Sequence, residues 1–146
     1  LTQTTLRVDD TRKVIRVLRE RLPALVTRND ICYATTNRQE AVKAMASEVD
    51  MVLVIGAQNS SNCNRLREAA EVTGRPAYLI NGPEDINSTW FEGVKRAGVT
   101  SGASTPEYLV TAVVEALRPL HVRTLAVAEE NVTFALPKEL HLEACI

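Results

Sequence analysis

The sequence predicts an α/β fold: a parallel sheet flanked by helices. Three observations carry this. Short apolar or β-branched runs alternate with segments whose apolar residues recur at helical spacing. One run, Met51-Val52-Leu53-Val54-Ile55, is apolar without interruption and lies between two helical segments, as a strand buried on both faces should. Polar loops rich in Gly, Ser, Thr and Asn follow the strand-like runs and lead into helices. Crossovers between such strands are right-handed.

The elements follow in order. Thr4-Thr5-Leu6-Arg7-Val8 reads as a short strand, and Asp9-Asp10-Thr11 as the start of a helix carrying Val14, Val17, Leu18 and Leu22, closed by Pro23. Ile31-Cys32-Tyr33-Ala34 reads as a strand leading into a Thr35-Thr36-Asn37 loop. Thr36 with Gln39, and Asn37 with Glu40, have capping-box spacing. Ala41, Val42, Met45, Ala46 and Val49 then form one helix face. After Met51–Ile55 comes the polar stretch Gly56 to Asn62, then a helix with Leu66, Ala69, Ala70 and Val72 that ends near Gly74. Ala77–Ile80 is the next strand. Ile86, Trp90, Phe91 and Val94 fit a short helix, and Gly98-Val99-Thr100 a strand end. Ser104-Thr105-Pro106-Glu107 has capping-box spacing with a proline in the first turn. Leu109, Val110, Val113, Val114 and Leu117 carry the last helix. Val132, Phe134 and Leu136 alternate, as in an extended segment. Residues 1–29 read as the end of a preceding α/β unit, 30–117 as one complete unit, and 118–146 as a tail that packs back on the protein.

Composition bounds the function. The chain has 146 residues, 45% hydrophobic and 24% charged, which is globular and of single-domain size. A formal net charge of -1 argues against a strongly basic nucleic-acid binder. No apolar run reaches the ~18 residues that span a bilayer, and no signal peptide is evident. The three cysteines, Cys32, Cys63 and Cys145, are widely spaced and make no disulfide framework, which fits a reduced, cytoplasmic setting. The first residue is Leu1, which reads as a start inside a longer reading frame.

Ligands of open parallel sheets sit beyond the carboxyl ends of the strands. Three loops there offer small hydroxyl and amide groups at helix starts: Cys32 to Asn37, Gly56 to Asn62, and Ser101 to Ser104. Helix N-termini add free N–H groups and positive partial charge, so the set suits a phosphate or diphosphate. Each loop alone is better explained by capping, and the case for a site rests on the three together. There is no Walker lysine motif and no GxGxxG. Cys32 reads either as a buried small side chain or as a thiolate ligand or nucleophile. Cys63 reads as a packing residue in a helix turn, Cys145 as incidental, and His121 and His141 as surface residues. Asp9 and Asp10 are explained by the helix start.

Asp30-Ile31-Cys32-Tyr33-Ala34-Thr35-Thr36-Asn37-Arg38-Gln39, Asn59-Ser60-Ser61-Asn62 and Ser101-Gly102-Ala103-Ser104 occur in one order, with Gln3-Thr4-Thr5-Leu6 before and Pro137-Lys138-Glu139-Leu140 after. Together they resemble the 4-hydroxy-3-methylbut-2-enyl diphosphate reductase family over nearly the whole chain, as its C-terminal half. The resemblance implies a trefoil of three α/β units around a [4Fe–4S] cluster, one cysteine per unit. Cys32 matches the third of these; the other ligands lie upstream of Leu1. It also implies that Ser60, Asn62 and Ser104 hold the substrate diphosphate with Ser61 beside them. Thr4 matches a threonine of the proton relay near the substrate hydroxyl, and Thr35, Thr36 and Asn37 shape the pocket. Cys63 matches no family role. The implied reaction is reductive removal of a hydroxyl from an allylic diphosphate in the methylerythritol phosphate route to isoprenoids, fed by a donor such as ferredoxin or flavodoxin. It yields isopentenyl and dimethylallyl diphosphates. This chain alone is expected to be inactive. The rival readings are a noncatalytic phosphate-binding module and a truncated gene product.

Overall fold

In the computed structural model, residues 6–27 and 33–125 are described. Helix α1 (Val8–Arg21) and helix α2 (Tyr33–Glu48) precede strand β1 (Met51–Ile55). Helix α3 (Ser61–Glu71), strand β2 (Ala77–Ile80), two single 3₁₀ turns (Pro83–Asp85 and Ser88–Phe91), strand β3 (Ala97–Ser101) and helix α4 (Glu107–Leu117) follow.

The sheet is parallel, in the order β2-β1-β3. Val52 to Ile55 of β1 pair with Ala77 to Ile80, and Met51 to Ile55 pair with Ala97 to Ser101. β1 is therefore central, and all five of its residues are fully buried, as its unbroken apolar run predicts. Strand alternation splits them between two cores. Val52 and Val54 pack with Val42 and Ala46 of α2 and Leu66, Ala69 and Ala70 of α3. Met51, Leu53 and Ile55 face the other way, against Val113, Leu109 and Leu117 of α4. On that second face Tyr78 and Trp90 stack with ring centroids 4.0 Å apart and planes 3° from parallel. Burying each such aliphatic side chain contributes about 1.5–3 kcal/mol.

Polar groups fix the joints. The Asp50 carboxylate, just before β1, accepts the backbone N–H groups of Lys95 and Arg96 at 3.0 Å each. These two bonds, from Arg96 first, hold the Asp50 carboxyl below its ordinary pKa. They set the entry of β3 beside that of β1. α2 also approaches β3 closely: a Cβ on Gly98 would lie 2.8 Å from Met45 Sδ.

Four local expectations are corrected. Val8 is not the end of a strand; it opens α1, where Asp9 and Asp10 favour the first turn through the helix dipole. Tyr33 and Ala34 are not strand, and Thr35-Thr36-Asn37 is not a loop, because α2 already starts at Tyr33. The Thr36–Gln39 and Asn37–Glu40 capping boxes are absent for the same reason: all four residues lie inside the helix. Gln39 instead reaches α1. Its Oε1 accepts the Val8 N–H at 3.1 Å, and its Nε2 donates to the Leu6 carbonyl at 3.0 Å. The single helix expected around Ile86 to Val94 is two 3₁₀ turns, broken where Ile86 and Asn87 turn extended.

α1 meets α2 largely through polar contacts: Gln39, a Lys43–Asp9 ion pair, and a longer Arg12–Glu40 pair at 4.0 Å. Val14, Val17, Leu18 and Leu22 of this segment remain exposed, Val14 at 58%. The alternating segment at Val132 to Leu136 lies outside the described residues.

Candidate functional site: the β1 and β3 loops

Two of the three polar loops come together because β1 and β3 are neighbours. α3 leaves β1 toward one face of the sheet, and α4 leaves β3 toward the other. In open α/β sheets, ligands bind at the carboxyl edge where adjacent connections diverge in this way.

The first loop is held from both sides. Gly56, with φ +155°, turns the chain sharply out of β1, and its N–H donates to the Ile80 carbonyl at 2.9 Å. The Gln58 side chain donates to the Leu79 carbonyl at 2.7 Å, tying the loop to the end of β2. Ser60 caps α3: its Oγ accepts the Cys63 N–H at 3.4 Å. Asn64 Nδ2 donates to the carbonyls of Gln58 and Ser60, closing the turn. Ser61 is exposed at the first position of α3, and Ser60 and Asn62 are half-buried. The Asn62 Oδ1 is shielded from solvent and has no hydrogen-bond partner among the described residues. Its Nδ2, the end that can donate to an anion, lies 4.0 Å from where a Gly102 Cβ would stand.

The second loop is fastened to the first. The Gly102 N–H and the Thr105 hydroxyl both donate to the Ile55 carbonyl, each at 3.0 Å. Ser101 belongs to β3, so the loop begins at Gly102. Ser104 is exposed on it. The capping box expected at Ser104 does not form; Pro106 is the N-cap of α4 without a side-chain bond, and Thr105 is committed to Ile55.

The structure thus brings Ser60, Ser61, Asn62 and Ser104 to one edge of the sheet. It does not bring Thr36 there. Thr36 lines a separate groove of about 700 Å³ with Val8, Thr11, Ile15 and Arg16 of α1. Thr35 is buried within α2. Thr4 and Cys32 lie outside the described residues, as do Cys145 and His141. His121 is exposed, as expected. Cys63 is 2% exposed, in keeping with its reading as a packing residue. Sequence reasoning missed Gln58, Asn64 and Thr105, which build the loops. Gln58 and Thr105 sat inside motifs already noted for other reasons, and nothing in their spacing marks them as bridges.

The arrangement offers neutral N–H and O–H donors and a helix N-terminus, chemistry that suits a diphosphate. Among the described residues no group of three or more His, Cys, Asp or Glu side chains could hold a metal. Those residues therefore do not supply a cluster site by themselves, and Cys63 is walled in by two glycines.

The model of the LytB protein family matches residues 1–118. The chain belongs to the LytB family. Among curated proteins it is 56% identical to the 4-hydroxy-3-methylbut-2-enyl diphosphate reductase of Ectopseudomonas mendocina over 149 aligned positions, 99% of this chain and 48% of that protein. The reductase of the same name from Pseudomonas aeruginosa is 55% identical over the same share. The chain thus spans about half the length of the curated relatives it matches. In solved structures it resembles the E-1-hydroxy-2-methyl-but-2-enyl-4-diphosphate reductase of Plasmodium falciparum, with TM-score 0.84 and 31% identity over 95% of this chain and 46% of that one. A structure of (E)-4-hydroxy-3-methyl-but-2-enyl diphosphate reductase, described as the terminal enzyme of the non-mevalonate pathway, matches with TM-score 0.58 and 35% identity over 80% of this chain. The parallel sheet flanked by helices is the fold the sequence predicted. No helix among the described residues is long and apolar enough to cross a membrane.

Proposed function

We propose that this chain is the C-terminal part of a reductase that removes the hydroxyl of an allylic diphosphate, and that its two joined loops hold the diphosphate. The observation that carries this is the seating of Ser60, Asn62 and Ser104 at one sheet edge, on loops pinned to each other through the Ile55 carbonyl. The names of relatives at 55–56% identity support the substrate class.

In this reading Ser60, Ser61, Asn62 and Ser104 grip the diphosphate with neutral donors, and the α3 N-terminus adds partial positive charge. Holding that end fixes where the substrate's hydroxyl can lie, which is catalysis by positioning. Thr4 belongs to the proton relay beside the hydroxyl. Cys32 is this chain's thiolate to a [4Fe–4S] cluster whose other ligands come from outside the chain. When bound, such a cluster supplies electrons and a Lewis-acidic iron. Ferredoxin or flavodoxin is the proposed electron donor, and the cytoplasm the proposed location. Residues 1–29 are proposed as the end of a preceding α/β unit, 30–117 as the unit bearing the site, and 118–146 as a tail packing back; the exposed apolar row on α1 supports the first boundary.

The test uses a reductase completed by grafting the P. aeruginosa relative's N-terminal half onto this chain. Ser60→Ala, Asn62→Ala and Ser104→Ala each remove a bond to a charged group, worth about 1.5–3 kcal/mol. Calorimetric titration with substrate should show roughly ten- to hundredfold weaker binding. Wild-type affinity in all three variants would sink the assignment. The rival reading, a phosphate-binding module without a cluster, shares the same loops; it predicts diphosphate binding with no bound iron in the completed protein.

A further inference from the structure

Beneath the two loops lies a contact that the proposed chemistry does not use. A Cβ built on Gly56 would stand 2.4 Å from Cys63 Sγ, and one built on Gly102 would stand 2.5 Å from the same sulfur. Both positions also lie 3.2 Å from Thr105 Oγ1. Two glycines from different loops therefore rest on the same pair of side-chain atoms. Neither glycine could carry a methyl group without displacing the sulfur.

The same two residues hold the loops by hydrogen bonds. The Thr105 hydroxyl donates to the Ile55 carbonyl, one residue before Gly56 and 50 residues away in sequence. The Cys63 N–H donates to Ser60 Oγ, so the residue whose sulfur fills the gap also holds the Ser60 hydroxyl oxygen. We propose that Cys63 and Thr105 are positioning residues that set the spacing between the Gly56 and Gly102 loops, and through it the fit of a diphosphate group. This rests on the diphosphate reading given above. Cys63 acts as a spacer of fixed size, and Thr105 as the tie that keeps the second loop against it. Preorganised donors lose effect steeply when displaced by fractions of an ångström.

The experiment titrates the completed reductase described above, carrying this chain as its C-terminal half, with inorganic diphosphate, followed by calorimetry and by amide chemical shifts. Thr105→Val keeps the shape and deletes the hydroxyl. Cys63→Val adds a carbon where the sulfur already touches both glycines. Each should raise Kd about tenfold, whereas Thr105→Ser and Cys63→Ser should stay within about threefold of the parent. Val113→Ala, in the core on the far face of the sheet, controls for stability; it should lower Tm and leave Kd unchanged. Parent-like Kd in folded Thr105→Val and Cys63→Val overturns the proposal. So does a loss in Val113→Ala as large as theirs, since that would make the effect general destabilisation. Absence of binding by the completed parent overturns both this proposal and the diphosphate reading, while binding by the parent with indifferent variants overturns this proposal alone.

Discussion

Gln39 gives the sharpest stability prediction, because one buried side chain carries the junction of α1 with α2. Gln39 is 1% exposed, and its amide satisfies two backbone groups: the Val8 N–H at 3.1 Å and the Leu6 carbonyl at 3.0 Å. Gln39→Met keeps the length and removes both partners. Val8 is 6% exposed, so its N–H would be left buried without an acceptor. That costs about 1–3 kcal/mol, and the half-buried Leu6 carbonyl adds about 1 kcal/mol or less because water can reach it. A loss near 2 kcal/mol corresponds to about thirtyfold in an opening equilibrium. The loss should be local, since the exposed apolar row and the polar seam give α1 less burial than β1. Amide hydrogen exchange on the whole chain measures it residue by residue. The α1 amides should exchange about thirtyfold faster in Gln39→Met, while Met51 to Ile55 keep their parent rates. Unchanged rates in α1 would refute the claim that Gln39 holds the junction. An equal rise in β1 would refute the claim that α1 opens separately.

Three further predictions concern charge, thiols and cluster assembly. The Lys43 ammonium, through its hydrogen bond first, holds the Asp9 carboxyl below its ordinary value of 3.8. A lowered folded pKa means the pair's stabilisation is complete above about pH 5 and is lost as pH falls through 3.8 toward the folded value. Urea midpoints of parent and Lys43→Met should therefore differ at pH 6 and converge near pH 2; a constant gap would refute the linkage. In the completed reductase, Cys63→Ser and Cys145→Ser should keep bound iron and visible absorption, and Cys32→Ser should lose both. The 146-residue chain alone should not assemble a stoichiometric cluster on anaerobic reconstitution; a stoichiometric cluster with turnover would reverse that account.

What the sequence revealed and what it hid follow one physical rule. Burial leaves a one-dimensional trace; hydrogen-bond partners distant in sequence do not. Met51 to Ile55 had to be a two-sided strand because no polar residue interrupts them, and the helix faces of α2, α3 and α4 show in the recurrence of Val42, Leu66 and Val113. The polar loops were visible as composition, and their adjacency followed once β1 and β3 were neighbours. The start of α2 was hidden because Thr35, Thr36 and Asn37 are cap residues by preference, yet here they sit inside the helix. Gln39 looked like the second half of a capping box, and its real partners lie 31 and 33 residues away. Thr105 was masked in the same way by Ser104 and Glu107, which have cap spacing while Thr105 bonds across 50 residues.

The central strand explains why the site is where it is. The Ile55 carbonyl ends β1 and accepts two donors from the β3 loop, Gly102 N–H and Thr105 Oγ1. The next residue, Gly56, donates to Ile80 at the end of β2. The last two residues of this stretch thus anchor both neighbouring strands. Because β1 is buried on both faces, these anchors sit on the most protected part of the fold. The donor-bearing residues Ser60, Asn62 and Ser104 remain at the rim, half-buried or exposed. That division suits a site for a charged group: donors stay accessible to the ligand, while the atoms that space them are locked in the core. The Cys63 sulfur lies at the boundary between the two, buried with α3 in the core and in contact with both loop glycines. A change in packing there reaches the rim directly, with no need for movement elsewhere in the sheet.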